Sequence, residues 1–135
     1  MAALPDAETP TADIELDAER GLLRVELHGT FDVQSWMKVI ERVGATEGYA
    51  PGMDALYVAN DAVFEFSQDD ILRLRRWIDG SLEYWGSGWR YATVAPRDYM
   101  YGMCRMISTW FDDAPFESQV FRTEAEARAW IDAGR

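Results

Sequence analysis

One cysteine and one histidine bound the chemistry open to this chain of 135 residues. Cys104 has no partner for an intramolecular disulfide, and Cys104 with His28 falls short of the Cys/His donor set that a zinc site takes. A Ser-His-Asp triad would need His28, which falls on the polar side of an alternating segment, and no nucleophile-elbow pattern occurs. Cys104 lies among apolar residues at helical spacing and reads as a small buried hydrophobe, not a reactive thiol. Asp69-Asp70 and Asp112-Asp113 are adjacent pairs, and adjacent residues on a helix or at its end face different ways. Capping and solvation account for them better than acid–base work. A phosphate cradle puts a glycine-rich loop after a strand and before a helix, whereas Gly86-Ser87-Gly88 precedes a strand. The strand-to-helix turns expected at Asn60 to Phe66 and at Pro96 to Asp98 contain no glycine. Arg73, Arg75 and Arg76 read as the solvated face of a helix, not an anion site. The expectation is a protein that is not an enzyme and carries no metal and no cofactor.

What remains is apolar. Phe64, Phe66, Trp77, Trp85, Met100, Tyr101 and Met103 cluster in and around the second and third expected helices. Methionine and aromatic side chains suit adaptable apolar pockets, so these seven are the candidate ligand-binding residues. The same residues would look identical in a filled core.

The elements that must position them radiate from Trp89 to Asp113. Arg90 to Ala95 reads as a buried strand. Pro96-Arg97-Asp98 turns the chain, and Tyr99 to Phe111 recurs at helical spacing with Met100, Met103, Ile107, Trp110 and Phe111 on one stripe. Ahead of it, Ile14 and Leu16, then Leu23, Val25 and Leu27, alternate with polar residues and predict a hairpin. Thr30 is placed to cap a helix whose apolar face is Val33, Trp36, Met37, Ile40 and Val43. Ala55 to Ala59 is an interior strand. Ser67 opens the next helix, its hydroxyl capping the amide of Asp70, with Phe66 stapling against Ile71 and a buried face of Ile71, Leu74, Trp77 and Ile78. Gly80 to Gly88 is a loosened connection. Gln119 to Arg122 makes a last strand, and Thr123 with Glu126 starts a final helix containing Ala127, Trp130 and Ile131. The order is ββαβαβαβα in a single α/β domain with a mixed sheet.

Composition narrows the partners. The net charge is −11, from 24 acidic and 13 basic residues, which leaves no basic footprint for nucleic acid and disfavours strong binding to an anionic membrane. No apolar run approaches a membrane span and no charged-then-apolar leader opens the chain, so a soluble cytoplasmic protein is expected. Residues 1–11, proline- and threonine-containing with little to bury, read as a flexible tail before a domain at 12–135.

The element order with its aromatic-rich strand, the turn APRDYMYGMCRM and the close VFRTEAEARAWI together resemble the SpoIIAA-like family, a bacterial group related to STAS domains and to the CRAL-TRIO fold. The resemblance implies a non-enzymatic module whose role is binding a small apolar, lipid-like molecule or peripheral membrane binding. STAS relatives that act through a protein partner carry a phosphorylatable serine at the turn before the second helix. Here Asn60-Asp61-Ala62 is expected at that turn, and Ser67, the nearest hydroxyl, is a helix cap. The alternative function is thus a STAS-type interaction regulator without the serine switch, with a protein as its partner.

Overall fold

The computed structural model describes residues 9–135. The tail expected at 1–11 lies mostly outside the described residues, and its last member, Thr11, already belongs to a strand. Strands β1 (Thr11–Asp17) and β2 (Leu22–Phe31) pair antiparallel as the hairpin that alternation predicts. Strands β3 (Asp54–Phe64), β4 (Arg90–Val94) and β5 (Glu117–Phe121) then add in turn, each parallel to the one before, so the sheet order is β1-β2-β3-β4-β5. Between the parallel strands run helices α1 (Val33–Gly44), α2 (Gln68–Ser81) and α3 (Asp98–Thr109), and helix α4 (Glu124–Ala133) follows β5.

This topology decides where the helices go. Parallel strands added in one direction by right-handed crossovers put every connecting helix on the same face of the sheet. Accordingly Val33, Trp36, Val39 and Val43 of α1, Leu74 and Ile78 of α2, and Met100 and Cys104 of α3 join one core with Leu23, Val25, Leu27, Tyr57 and Ala59 of the sheet. The opposite face has α4 alone. Ala127 and Ile131 pack there on Leu22, Leu56, Val58, Ala92 and Val94.

The period-2 alternation of β3 breaks once, and the break is structural. Glu26 pairs with Val58 but His28 pairs with Asp61, so β3 carries one extra residue there, a β-bulge. Before it, Ala55, Tyr57 and Ala59 face α1–α3; after it, Ala62 and Phe64 do. The bulge also lets Asn60 and Asp61 stand exposed inside a strand. The turn expected at Asn60 to Phe66 is therefore corrected, because β3 runs through Phe64 and Asn60-Asp61-Ala62 lies within it.

The other boundaries follow from local chemistry. Helix α1 is capped by Asp32 and not Thr30, since β2 continues through Phe31 to stay in register with Phe64. The Asp32 carboxylate accepts the Ser35 N–H at 2.8 Å, and Ser35 Oγ accepts the Asp32 N–H at 2.9 Å. Ser67 caps α2 as its signature predicts: its hydroxyl accepts the Asp70 N–H and the Asp70 carboxylate accepts the Ser67 N–H, both at 3.1 Å. Phe66 stacks on Phe64 with centroids 4.9 Å apart. The connection expected at Gly80 to Gly88 is more ordered than its glycines suggest, for α2 continues to Ser81 and a 3₁₀ turn spans Leu82–Trp85. The final strand begins at Glu117, earlier than expected. Trp110 lies just past the end of α3, half-buried, with the Arg75 guanidinium 5.8 Å from its ring centroid.

One ion pair ties α4 to the sheet. Arg24 of β2 donates to both carboxylate oxygens of Glu124, at 3.1 and 3.0 Å, and Arg128 donates to the same carboxylate at 2.9 Å. Hydrogen bonds from Arg24, joined by those from Arg128, outweigh partial burial and hold the Glu124 carboxyl below its ordinary value of 4.5. A depressed carboxylate contributes stability above its unfolded value and loses it as pH falls toward the folded one.

Two outcomes follow. Glu124→Gln should lower the unfolding free energy by about 1.5–3 kcal/mol at neutral pH, with the gap to wild type narrowing as pH drops below about 4.5; denaturant melts across pH measure both. Ser67→Ala should cost about 0.5–2 kcal/mol in the same assay through loss of the cap.

Candidate ligand-binding site

Side chains from both layers fail to meet completely between the sheet and α1–α3. A gap of about 70 Å³ lies over β3 and β4, and a second of about 30 Å³ adjoins it toward β5. Trp36, Tyr57, Tyr91, Ile107 and Phe111 line both. Large rings arriving from different elements explain the gaps, because flat side chains meeting at steep angles cannot interdigitate as aliphatic ones do. Trp36 meets Tyr57 at 5.6 Å and 61°, Tyr57 meets Tyr91 at 5.2 Å and 52°, and Tyr91 meets Phe111 at 5.7 Å and 66°.

The rim of the larger gap belongs to the 3₁₀ turn. Trp85 packs edge-on against Trp77 and Tyr49, and its indole N–H donates to Ser81 Oγ at 3.3 Å. The turn is clasped to the loop before β3: the Gly52 N–H donates to the Trp85 carbonyl at 2.9 Å. Gly86, at φ 85°, approaches that loop so closely that a Cβ would sit 2.7 Å from the Gly52 nitrogen. Only glycine fits that approach.

The electrostatics are those of a neutral site. No Asp, Glu, Lys, Arg or His among the described residues lines either gap. Tyr57 is 6% exposed, and burial raises its phenol well above the ordinary value, so it stays protonated. Its hydroxyl has no hydrogen-bond partner among the described residues and is not sealed from solvent, and the residue lines both gaps. The Tyr91 phenol is likewise raised by burial. The second gap has further hydroxyls in Ser108 and Ser118, but these bond to each other at 2.9 Å.

Of the seven residues expected at a ligand site, three stand at the gaps. Trp77 and Trp85 line the first and Phe64 the second. The other four stand away from both. Phe66 covers Phe64. Met100 is fully buried, and its sulfur accepts the Phe64 N–H at 3.2 Å. Tyr101 lies half-buried under the Arg122 guanidinium, 4.0 Å from its ring centroid, and Met103 packs on the margin of the core. Tyr57, Tyr91, Trp36 and Phe111 were not among the candidates. The available signal was a tyrosine at an inward position of each of two apolar strands, where a phenol must find a partner or a void.

Two other places on the surface are self-satisfied. A broad groove of about 870 Å³ runs along the N-terminal ends of β3, β4 and β5. Its Asp54 accepts from Arg135 and from the Arg90 N–H, and Arg90 bonds Glu117 and the Trp130 carbonyl. At the C-terminal ends of the strands, Asp32, Ser67 and Thr123 each cap their own helix. Among the described residues no cluster of His, Cys, Asp and Glu is arranged to hold a metal ion, and no helix is long and apolar enough to cross a membrane.

No protein-family profile matches the chain, and no curated protein matches it. Among solved structures it is similar to an uncharacterized protein of the DUF3478 family, with a SpoIIAA-like fold, from Shewanella loihica PV-4. The TM-score is 0.58 at 16% identity, over 90% of this chain and 93% of that one. At that identity the likeness establishes the fold, which is SpoIIAA-like, as the turn and closing helix suggested.

Cys104, beside the second gap, is buried without a cationic neighbour, and desolvation pushes its thiol up to about 12. A disulfide-exchange reagent should leave it unmodified in the native protein at pH 8 and titrate one thiol after denaturation, read by absorbance of the released chromophore.

Proposed function

We propose that the chain is a non-enzymatic binding module that holds a small apolar molecule between its sheet and α1–α3. The observation that carries this reading is the pair of adjoining gaps walled by rings from the sheet, α1, α2 and the turn after α3, with Ile107 of α3 between them. Well-packed cores of this size leave few voids larger than a water molecule, so an aromatic-walled void at the junction of four elements is a departure that invites occupation. The absence of any charged lining favours an apolar guest, since an ion buried there would go uncompensated.

Size then narrows the guest. Pockets for drug-sized ligands run to about 300–1,000 Å³, and an aliphatic cavity of about 150 Å³ takes up benzene. Gaps of about 70 and 30 Å³ suit one compact ring with slight displacement of side chains, and a long acyl chain would need α2 or the 3₁₀ turn to move away. The alternative function, a regulator that attracts a basic protein through the net charge of −11, makes the opposite claim about salt. Its binding would fade as ionic strength rises, whereas uptake into an uncharged gap would not.

Titrating toluene into protein with ¹³C-labelled methyl groups tests the proposal. Shifts confined to Leu23, Ile40, Val43, Ile78 and Ile107, unchanged between low and high salt, are the expected result. Ala55→Leu, which fills the larger gap from the sheet side, should abolish them while leaving the melting temperature equal or higher. No methyl shifts at saturating toluene would overturn the proposal.

A further inference from the structure

We infer that the ligand of this site is a neutral single-ring molecule bearing one hydrogen-bonding group, of the phenol or benzyl-alcohol class, and that the Tyr57 hydroxyl is its polar anchor. The inference rests on the binding function proposed above and adds the chemical class to it. Three observations converge on it. Tyr57 borders both gaps, so a ring lodged in the larger one has the phenol within reach. The residue is 6% exposed and its hydroxyl has no partner among the described residues, leaving one donor and one acceptor free. Of the other hydroxyls nearby, Ser108 is engaged by Ser118 and Ser81 by the Trp85 indole, and the phenols of Tyr49 and Tyr91 belong to residues only partly buried, which leaves Tyr57 as the one buried phenol that borders both gaps among the described residues.

Among the described residues no unpartnered side-chain polar atom is sealed from solvent, so water reaches the Tyr57 hydroxyl until a guest excludes it. A guest hydroxyl would replace that water as its partner; a methyl group in its place would leave the phenol with none. Charge discriminates in the other direction. A carboxylate, including that of a fatty acid, would enter a space with no Arg, Lys or His to receive it, and the buried Tyr57 phenol alone cannot compensate a full charge. The rings around the space set the shape. Successive contacts along Trp36, Tyr57, Tyr91 and Phe111 meet at 61°, 52° and 66°, presenting ring edges and faces that suit a planar guest.

The test is a double-mutant cycle on ligand and protein. Affinities of 4-methylphenol, toluene and 4-methylbenzoate are measured by methyl-shift titration on wild type, Tyr57→Phe and Tyr91→Phe. In wild type 4-methylphenol and toluene should bind and 4-methylbenzoate at pH 7 should not. Tyr57→Phe should lower the 4-methylphenol-to-toluene affinity ratio about tenfold, as loss of one buried hydrogen bond implies. Tyr91→Phe should leave the ratio as in wild type. Because the Tyr57 hydroxyl bonds nothing in the protein, Tyr57→Phe should also melt at or above the wild-type temperature, which guards against an effect through misfolding. An unchanged ratio in Tyr57→Phe, or benzoate binding as tightly as the phenol, would sink the anchor while toluene binding left the pocket intact. Failure of toluene as well would sink the pocket itself.

Discussion

The extra residue in β3 is the constraint on which the aromatic face of the sheet depends. Side chains alternate along a strand, so Tyr57 and Phe64, seven positions apart, would ordinarily face opposite ways. The bulge between Val58 and Asp61 restores them to one side. Phe64 thereby reaches Phe31 at 6.1 Å and Trp36 at 5.1 Å, while Tyr57 reaches Trp36 from below at 5.6 Å. Remove the bulge and either the C-terminal half of β3 turns its rings to water or its pairing with β2 slips. The ring cluster that walls the gaps is thus set by one unpaired backbone position.

The two faces of the sheet solve different problems. The α1–α3 face is built from rings and long aliphatics that leave space between them. The α4 face uses Ala92, Ala127, Val58 and Val94, small enough for the helix to lie close. Beyond the reach of α4, the β1–β2 end of that face is charged: Arg24 pairs with Glu26 at 3.0 Å, and His28 lies 3.2 Å from Glu26 and 3.5 Å from Asp13. These pairs keep an uncovered sheet surface soluble, and Arg24 alone crosses to the helix.

Features encoded by neighbouring residues were legible in the chain. The Ser67 cap, the Thr123 start of α4, the hairpin and the Pro96 turn each depend on a few adjacent side chains, and each stands where the residues place it. Features set by distant partners were not. Thr30 and Asp32 are both good caps, and only the pairing of Phe31 with Phe64 chooses between them. Asn60-Asp61 looks like a turn because nothing local announces a bulge. Met100 and Trp77 both sit on apolar helical stripes, yet one fills the core and the other borders a gap. That difference comes from how far three helices stand off the sheet, which no periodicity records. Tyr57 escaped notice for the same reason, since an inward tyrosine marks a site only when its hydroxyl is seen to lack a partner.

The strand order has a consequence for how the chain is made. Each strand pairs with its immediate predecessor, and none inserts between two earlier ones. A ribosome releasing the chain from its N-terminus can therefore add finished βα units to a growing edge, with no segment waiting on a distant one. The exception is the second face. Leu56, Val58, Ala92 and Val94 are assembled as soon as β4 docks, but their cover is α4, the last element of the fold. During synthesis that apolar sheet surface stays bare until α4 emerges, and in that interval the nascent chain is most exposed to wrong partners and to chaperones.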